Sequence, residues 1–148
     1  MDNYQIQIIF QLILALGLGA IVGLERERKK KGAGLQTYSL VSLGACLFTI
    51  VSLNSFGLFT GNQNISIDPS RTVMAVATGI GFIGAGIIIF HRDHVEGTTT
   101  AAGLWCVAAI GTAIGIKFYL LAYFAVILTL LIFMGFGALE EKIFKNRP

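Results

Sequence analysis

Hydrophobic residues run along this chain in five long blocks, separated by short polar or charged punctuation. The blocks cover about residues 4–24, 35–56, 70–90, 98–116 and 118–138. Each is near the ~20 apolar residues that a helix needs to cross a bilayer. The pattern predicts an all-α fold, a polytopic bundle of five transmembrane helices forming a single domain over residues 1–148. In the first block Gln7, Gln11, Ala15, Gly19 and Gly23 recur every fourth residue, so small and polar groups share one inward face. The second block carries Ser39, Ser42, Thr49 and Ser52, whose hydroxyls can bond within their own helix. Asp68 and Pro69 form a start signal for the third helix. Thr98, Thr99 and Thr100 offer capping hydroxyls for the fourth, and Lys117 marks a tight turn before the fifth, read as lipid-facing.

The third block contains TGIGFIGAGII, residues 78–88. Gly79, Gly81 and Gly84 satisfy G-x-G-x-x-G, but they lie inside an uncharged apolar run and not in the strand–turn–helix setting of a dinucleotide site. At ~100° per residue, Gly81 and Gly84 share one face, and Gly79 and Gly86 lie nearly opposite. Two flat faces imply a close neighbour on each, so this helix is expected to be the central one. Gly111 and Gly115 give a further G-x-x-x-G packing pair in the fourth block.

Composition agrees with a membrane domain: 55% of residues are hydrophobic and only 13% charged, against about 25% charged in soluble domains. Placing residues 25–34, 91–97 and the tail on one side gathers nine of the eleven basic residues there, leaving Arg71 and Lys117 opposite. The positive-inside rule then puts the N-terminus outside and the C-terminus in the cytoplasm. The same placement reads the basic residues as membrane flanks and excludes nucleic acid as a partner. Cys46 and Cys106 lie in apolar blocks, with no second cysteine or histidine at ligand spacing.

No Asp, Glu, Lys, Arg or His falls mid-span, which argues against a proton relay or a carboxylate-lined pore. No nucleophile–base motif is present, so the chain reads as a non-enzyme needing no cofactor. The charged residues that invite a role stand at helix ends. Glu25 is either a headgroup-level residue paired with Arg26 or Arg28, or a site for a cation or partner. Arg71 pairs with Asp68, snorkels to phosphates, or forms a site on the opposite side from Glu25. Glu25 and Asp68 are the weak candidates for a metal. His91, His94, Asp93 and Glu96 offer further ligand types in what is read as a short charged loop, and Trp105 is most simply a packing residue.

Three ordered motifs coincide: Gly23-Leu24-Glu25-Arg26-Glu27, then Asp68-Pro69-Ser70-Arg71 leading into TGIGFIGAGII, then GTTTAAGLW from Gly97 to Trp105. Together they resemble the MgtC/SapB family of bacterial membrane proteins over about residues 8 to 119. By that resemblance Glu25, Arg26, Glu27, Asp68, Arg71, Gly79, Gly81, Gly84, Gly86, Thr99 and Trp105 match family positions. The resemblance implies a multi-pass protein of the bacterial cytoplasmic membrane, linked to adaptation to magnesium limitation and in some members to virulence. Regulation through contacts with other membrane proteins, or with a second copy, is the reading taken. The alternative is a transporter or channel for magnesium or another cation. The chain departs from the family pattern at Gln36, Tyr38 and Ala75, where arginine, histidine and glutamine are usual. The soluble C-terminal domain of many members is not expected here.

Overall fold

The computed structural model describes residues 2–59 and 68–144. Five helices or helix runs in it are long and apolar enough to cross a membrane. They are α1 (Asn3–Arg28), α2 (Leu35–Phe59), α3 (Ser70–Ile87), α4 (Thr98–Gly115) and α5 (Tyr119–Leu131). The last continues through a π-helical turn, Ile132–Phe136, into α6 (Gly137–Phe144). A two-residue hairpin, β1 (Ile89–Phe90) and β2 (Val95–Glu96), separates α3 from α4.

Helix ends follow local chemistry. α1 runs through Glu25–Arg28, so the first charges expected in a loop belong to its last turn, and its boundary extends past 24. It closes with Lys30 at φ 51°, while Lys30 N–H bonds Glu27 O and Lys31 N–H bonds Arg26 O. α4 closes the same way, with Lys117 at φ 67° and Phe118 N–H on Ala113 O. Both are Schellman stops in which lysine, a favourable cation at a helix C-terminus, takes the left-handed position. Asp68 Oδ1 accepts Ser70 N–H at 2.9 Å and so starts α3. Two expectations fail at the other end of α3. The helix stops at Ile87 instead of 90, and the predicted charged loop is the hairpin. Nor do the threonines cap α4: Gly97 stands at its N-cap with φ 89° and no side-chain bond. A Cβ on Gly97 would strike the Ile87 carbonyl, so glycine serves both the backbone angle and the close approach.

Polar contacts sort to two ends of the bundle. At one, Tyr4 bonds Asn54, Lys117 Nζ bonds Gln7, and the Ser52 and Thr72 hydroxyls meet. At the other lie Glu25–Lys31 and a bond from Tyr38 to Thr100. Successive long helices therefore alternate in direction.

The centre is α4, not α3. Eleven α4 residues are buried, among them Leu104, Val107, Ile110 and Ile114, whereas α3 buries only Ile80 and Gly84. α4 touches α1, α2, α3 and α5. Glycines explain how closely the inner three helices meet. A Cβ on Gly19 would lie 2.7 Å from both Ser42 Cβ and Tyr38 O; one on Gly23 would lie 2.9 Å from Leu35 Cα. One on Gly111 would enter the Ser42 carbonyl, and one on Gly115 would lie 2.7 Å from Thr49 Cβ. Among the described residues, the only α3 glycine that meets a neighbour is Gly84, against Ala101 at ordinary contact distance; Gly79, Gly81 and Gly86 face none within 4 Å. The α1 face behaves as its spacing predicts. Gln11 is buried and its amide donates to Ile114 O at 2.7 Å and Gly115 O at 3.0 Å. Thr49 and Ser39 bond carbonyls four residues back in α2. Most of the large α5 side chains are exposed, the position expected of a lipid-facing helix. Most of the predicted polar stretch 57–67 lies outside the described residues.

This arrangement separates two classes of glycine. Gly19→Leu should abolish or severely weaken folding, since even modest overpacking costs about 1–3 kcal/mol. Gly81→Leu should leave the folded chain intact, because none of the described residues stands where its side chain would begin. Thermal unfolding of the purified variants in detergent checks both.

Candidate functional site at the charged end

The last turn of α1 carries two ionisable side chains into the bundle. Arg26 is 4% exposed, and its guanidinium stacks 4.2 Å from the centroid of the Phe133 ring. Its Nη1 lies 3.4 Å from Glu25 Oε2. Glu25 is itself nearly buried, and Lys29 Nζ sits 2.8 Å from its Oε1, at ion-pair distance but outside hydrogen-bond geometry. The same ammonium donates to Phe133 O at 2.8 Å. The π turn makes that possible. At its end Gly137 N–H bonds Met134 O and not the Phe133 carbonyl four residues back, which leaves that carbonyl open to the ammonium.

Two residues from the other inner helices close the site. Tyr38 is fully buried and its hydroxyl donates to Thr100 O at 3.1 Å. Gly103 faces both rings: a Cβ there would overlap Tyr38 Oη and come within 2.5 Å of Phe133 Cζ. Among the described residues Arg26 Nε has no hydrogen-bond partner, nor has the buried Ser42 Oγ one turn along α2 from Tyr38. A buried guanidinium with an unused donor is costly, and only its ion pair and the ring beneath it offset that cost.

The other predicted residues do not join this cluster. Glu27 is exposed and caps α2, its Oε2 accepting Leu35 N–H at 3.1 Å at the positive end of that helix. Asp68 and Arg71 stand at the opposite end. The Asp68 carboxyl is held below its ordinary range by hydrogen bonds from the Ser70 side chain and backbone. The pairing of Asp68 with Arg71 is not formed; among the described residues Arg71 makes no ion pair within 4.0 Å. Thr99 and Trp105 point outward from α4. Glu25 as a metal ligand competes with two cations beside it. Among the described residues the one group with clustered ligand atoms is His91, His94 and Glu96, within 4.8 Å of one another and exposed. The two imidazoles stack at 4.6 Å, so their nitrogens project side by side rather than converging.

Lys29, Gly103 and Phe133 belong to the site although no motif marks them as site residues, and Tyr38 stands out in the sequence only as a departure from the family pattern. Gly103 lay within the GTTTAAGLW stretch and Lys29 within the charge run, so both were readable as neighbours of the site. Phe133 carried no signal in a uniformly apolar helix.

Tyr38→Phe should lower stability by about 1 kcal/mol, the worth of one buried hydrogen bond. Gly103→Ala should cost more, about 1–3 kcal/mol, because both rings must move. Denaturant titration in a fixed detergent ranks the two.

Comparison with known proteins places this site in context. Residues 12–142 match the MgtC family. The chain is 41% identical over 137 residues to the "Putative magnesium transporter YhiD" of Escherichia coli K12, covering 93% of this chain and 64% of that protein. It is 40% identical over 130 residues to protein SapB of Bacillus subtilis, covering 87% of this chain and 56% of SapB. Protein MgtC of Salmonella typhimurium LT2 is 39% identical over 109 residues, covering 73% of this chain and 43% of MgtC. The chain thus spans less than two thirds of the length of these relatives. No solved structure matches it.

Proposed function

The chain belongs to the MgtC family, and from that premise we propose that it is a regulatory, non-enzymatic membrane protein serving adaptation to magnesium limitation. It acts through contacts with membrane partners rather than by conducting ions. The observation that carries this reading is the state of Glu25. Its carboxylate is the only acidic group drawn into the bundle among the described residues, and Lys29 and Arg26 already flank it. A magnesium ion prefers near-octahedral oxygen ligands and keeps its waters, and this site offers one carboxylate between two cations. Beyond it, α1, α2 and α4 meet backbone to backbone at Gly19, Gly23, Gly111 and Gly115, which favours a closed bundle over a conducting one.

The site is better suited to sensing. Arg26 rests on Phe133 of α5, Lys29 holds the π turn, and Tyr38 ties α2 to α4. A partner that drew Arg26 or Lys29 away would loosen four helix ends together. With the basic loops in the cytoplasm, this end faces the interior of a bacterial cell across its cytoplasmic membrane.

Transport is the second reading, because one relative carries the name of a magnesium transporter. Purified protein in liposomes loaded with a magnesium-sensitive dye separates the two. No flux above protein-free liposomes, unchanged by Glu25→Gln, is expected; robust uptake abolished by Glu25→Gln would sink the regulatory reading. A tag at the C-terminus should be protected from external protease in intact cells, and an accessible tag would reverse the orientation.

A further inference from the structure

α3 leans on α4 far more than on α2, and an apolar groove of about 750 Å³ opens between α2 and α3. Its walls are formed by Leu40, Gly44 and Phe48 on one side and Ala75, Gly79 and Ile83 on the other. Leu40 and Phe48 are 67% and 69% exposed, so the groove opens sideways, towards the lipid. Among the described residues, no atom outside the turns of α3 around it stands within 4 Å of where a Gly79 side chain would begin. Arg71 lines the same groove at one end, next to Thr72. No carboxylate among the described residues lies within ion-pair distance, 4.0 Å, of its guanidinium.

We propose that this groove holds one acyl chain of an anionic phospholipid, with the lipid phosphate on the Arg71 guanidinium. Three observations agree on that occupant. The first is charge: a guanidinium without a carboxylate, at the first turn of a spanning helix, stands at headgroup level and pairs with phosphate through two N–H donors. The second is length. The residues from Arg71 to Ile83 rise about 18 Å along a helix, close to the ~15 Å depth of one leaflet of hydrocarbon. The third is lining: among the described residues, apart from Arg71 and Thr72, the walls carry no side chain that needs a hydrogen-bond partner. A helix from a second copy fits less well. Copies inserted in the same orientation and related by a two-fold axis along the membrane normal bring both Arg71 side chains to one level, where like charges repel. The inference is independent of whether the chain regulates or transports.

The test uses the full chain in phosphatidylcholine nanodiscs doped with phosphatidylglycerol bearing a photoreactive group on one acyl chain. Adducts are mapped by peptide mass spectrometry. They should concentrate on residues 40–48 and 75–83 and fall about tenfold in Arg71→Gln, the loss of one charge-assisted contact. Gly79→Leu, whose side chain has room to enter the groove, should also reduce them while leaving the helical circular dichroism unchanged. Added inorganic phosphate should not compete. Equal labelling of the groove and of α5, indifferent to Arg71→Gln, would overturn the proposal. So would cross-linked dimers through residues 40–48 in place of lipid adducts.

Discussion

Everything in this structure depends on how closely α4 can approach α2. Inside a bilayer the surrounding lipid is as apolar as the side chains, so helices gain little from hiding hydrophobic surface and associate through packing and hydrogen bonds. Gly111 against the Ser42 carbonyl and Gly115 against Thr49 let two backbones touch, while Gly19 and Gly23 bring α1 onto the same α2 surface. Gln11 then spans from α1 to the last carbonyls of α4. Three helices become one unit, and α3 and α5 are left to pack around it with large side chains turned outward.

The charged site is a consequence of that unit. Burying Arg26 is tolerable only where an aromatic face and a carboxylate await it, and both are delivered by backbone geometry. α1 continues its helix far enough to bring Glu25 and Lys29 to the same level. The π turn frees a carbonyl for Lys29 and sets the Phe133 ring under the guanidinium. Gly103 leaves the space in which Tyr38 and Phe133 meet. Removing one partner exposes the others to an uncompensated charge, so the site links four helices in a way that apolar packing alone would not.

Much of this was legible in the chain. The five spans and the inward face of α1 from Gln11 to Gly23 follow from spacing alone. So does the pairing of Gly111 with Gly115. The glycine-rich stretch 78–88 misled for a definite reason. A helical wheel tells which residues share a face, but not whether anything stands opposite, and among the described residues nothing meets Gly79, Gly81 or Gly86. Reading 25–28 as a loop failed because charge alone does not end a helix; the ending came from the left-handed turn at Lys30. The hairpin at 89–96 depends on Gly97, whose positive φ was invisible beside three plausible threonine caps. Phe133 was beyond reach, since nothing in an apolar run announces a π turn.

The claim that α4 is the centre, held there by its glycines, is tested most directly by unfolding Gly111→Ala in detergent beside the unaltered chain. A single methyl at that position meets backbone, which cannot yield as a side chain can. The structure predicts a loss of at least about 1–3 kcal/mol, the cost of overpacking a filled interior. A Gly111→Ala protein as stable as the parent would contradict the close approach of α4 to α2, and with it the position of the buried arginine.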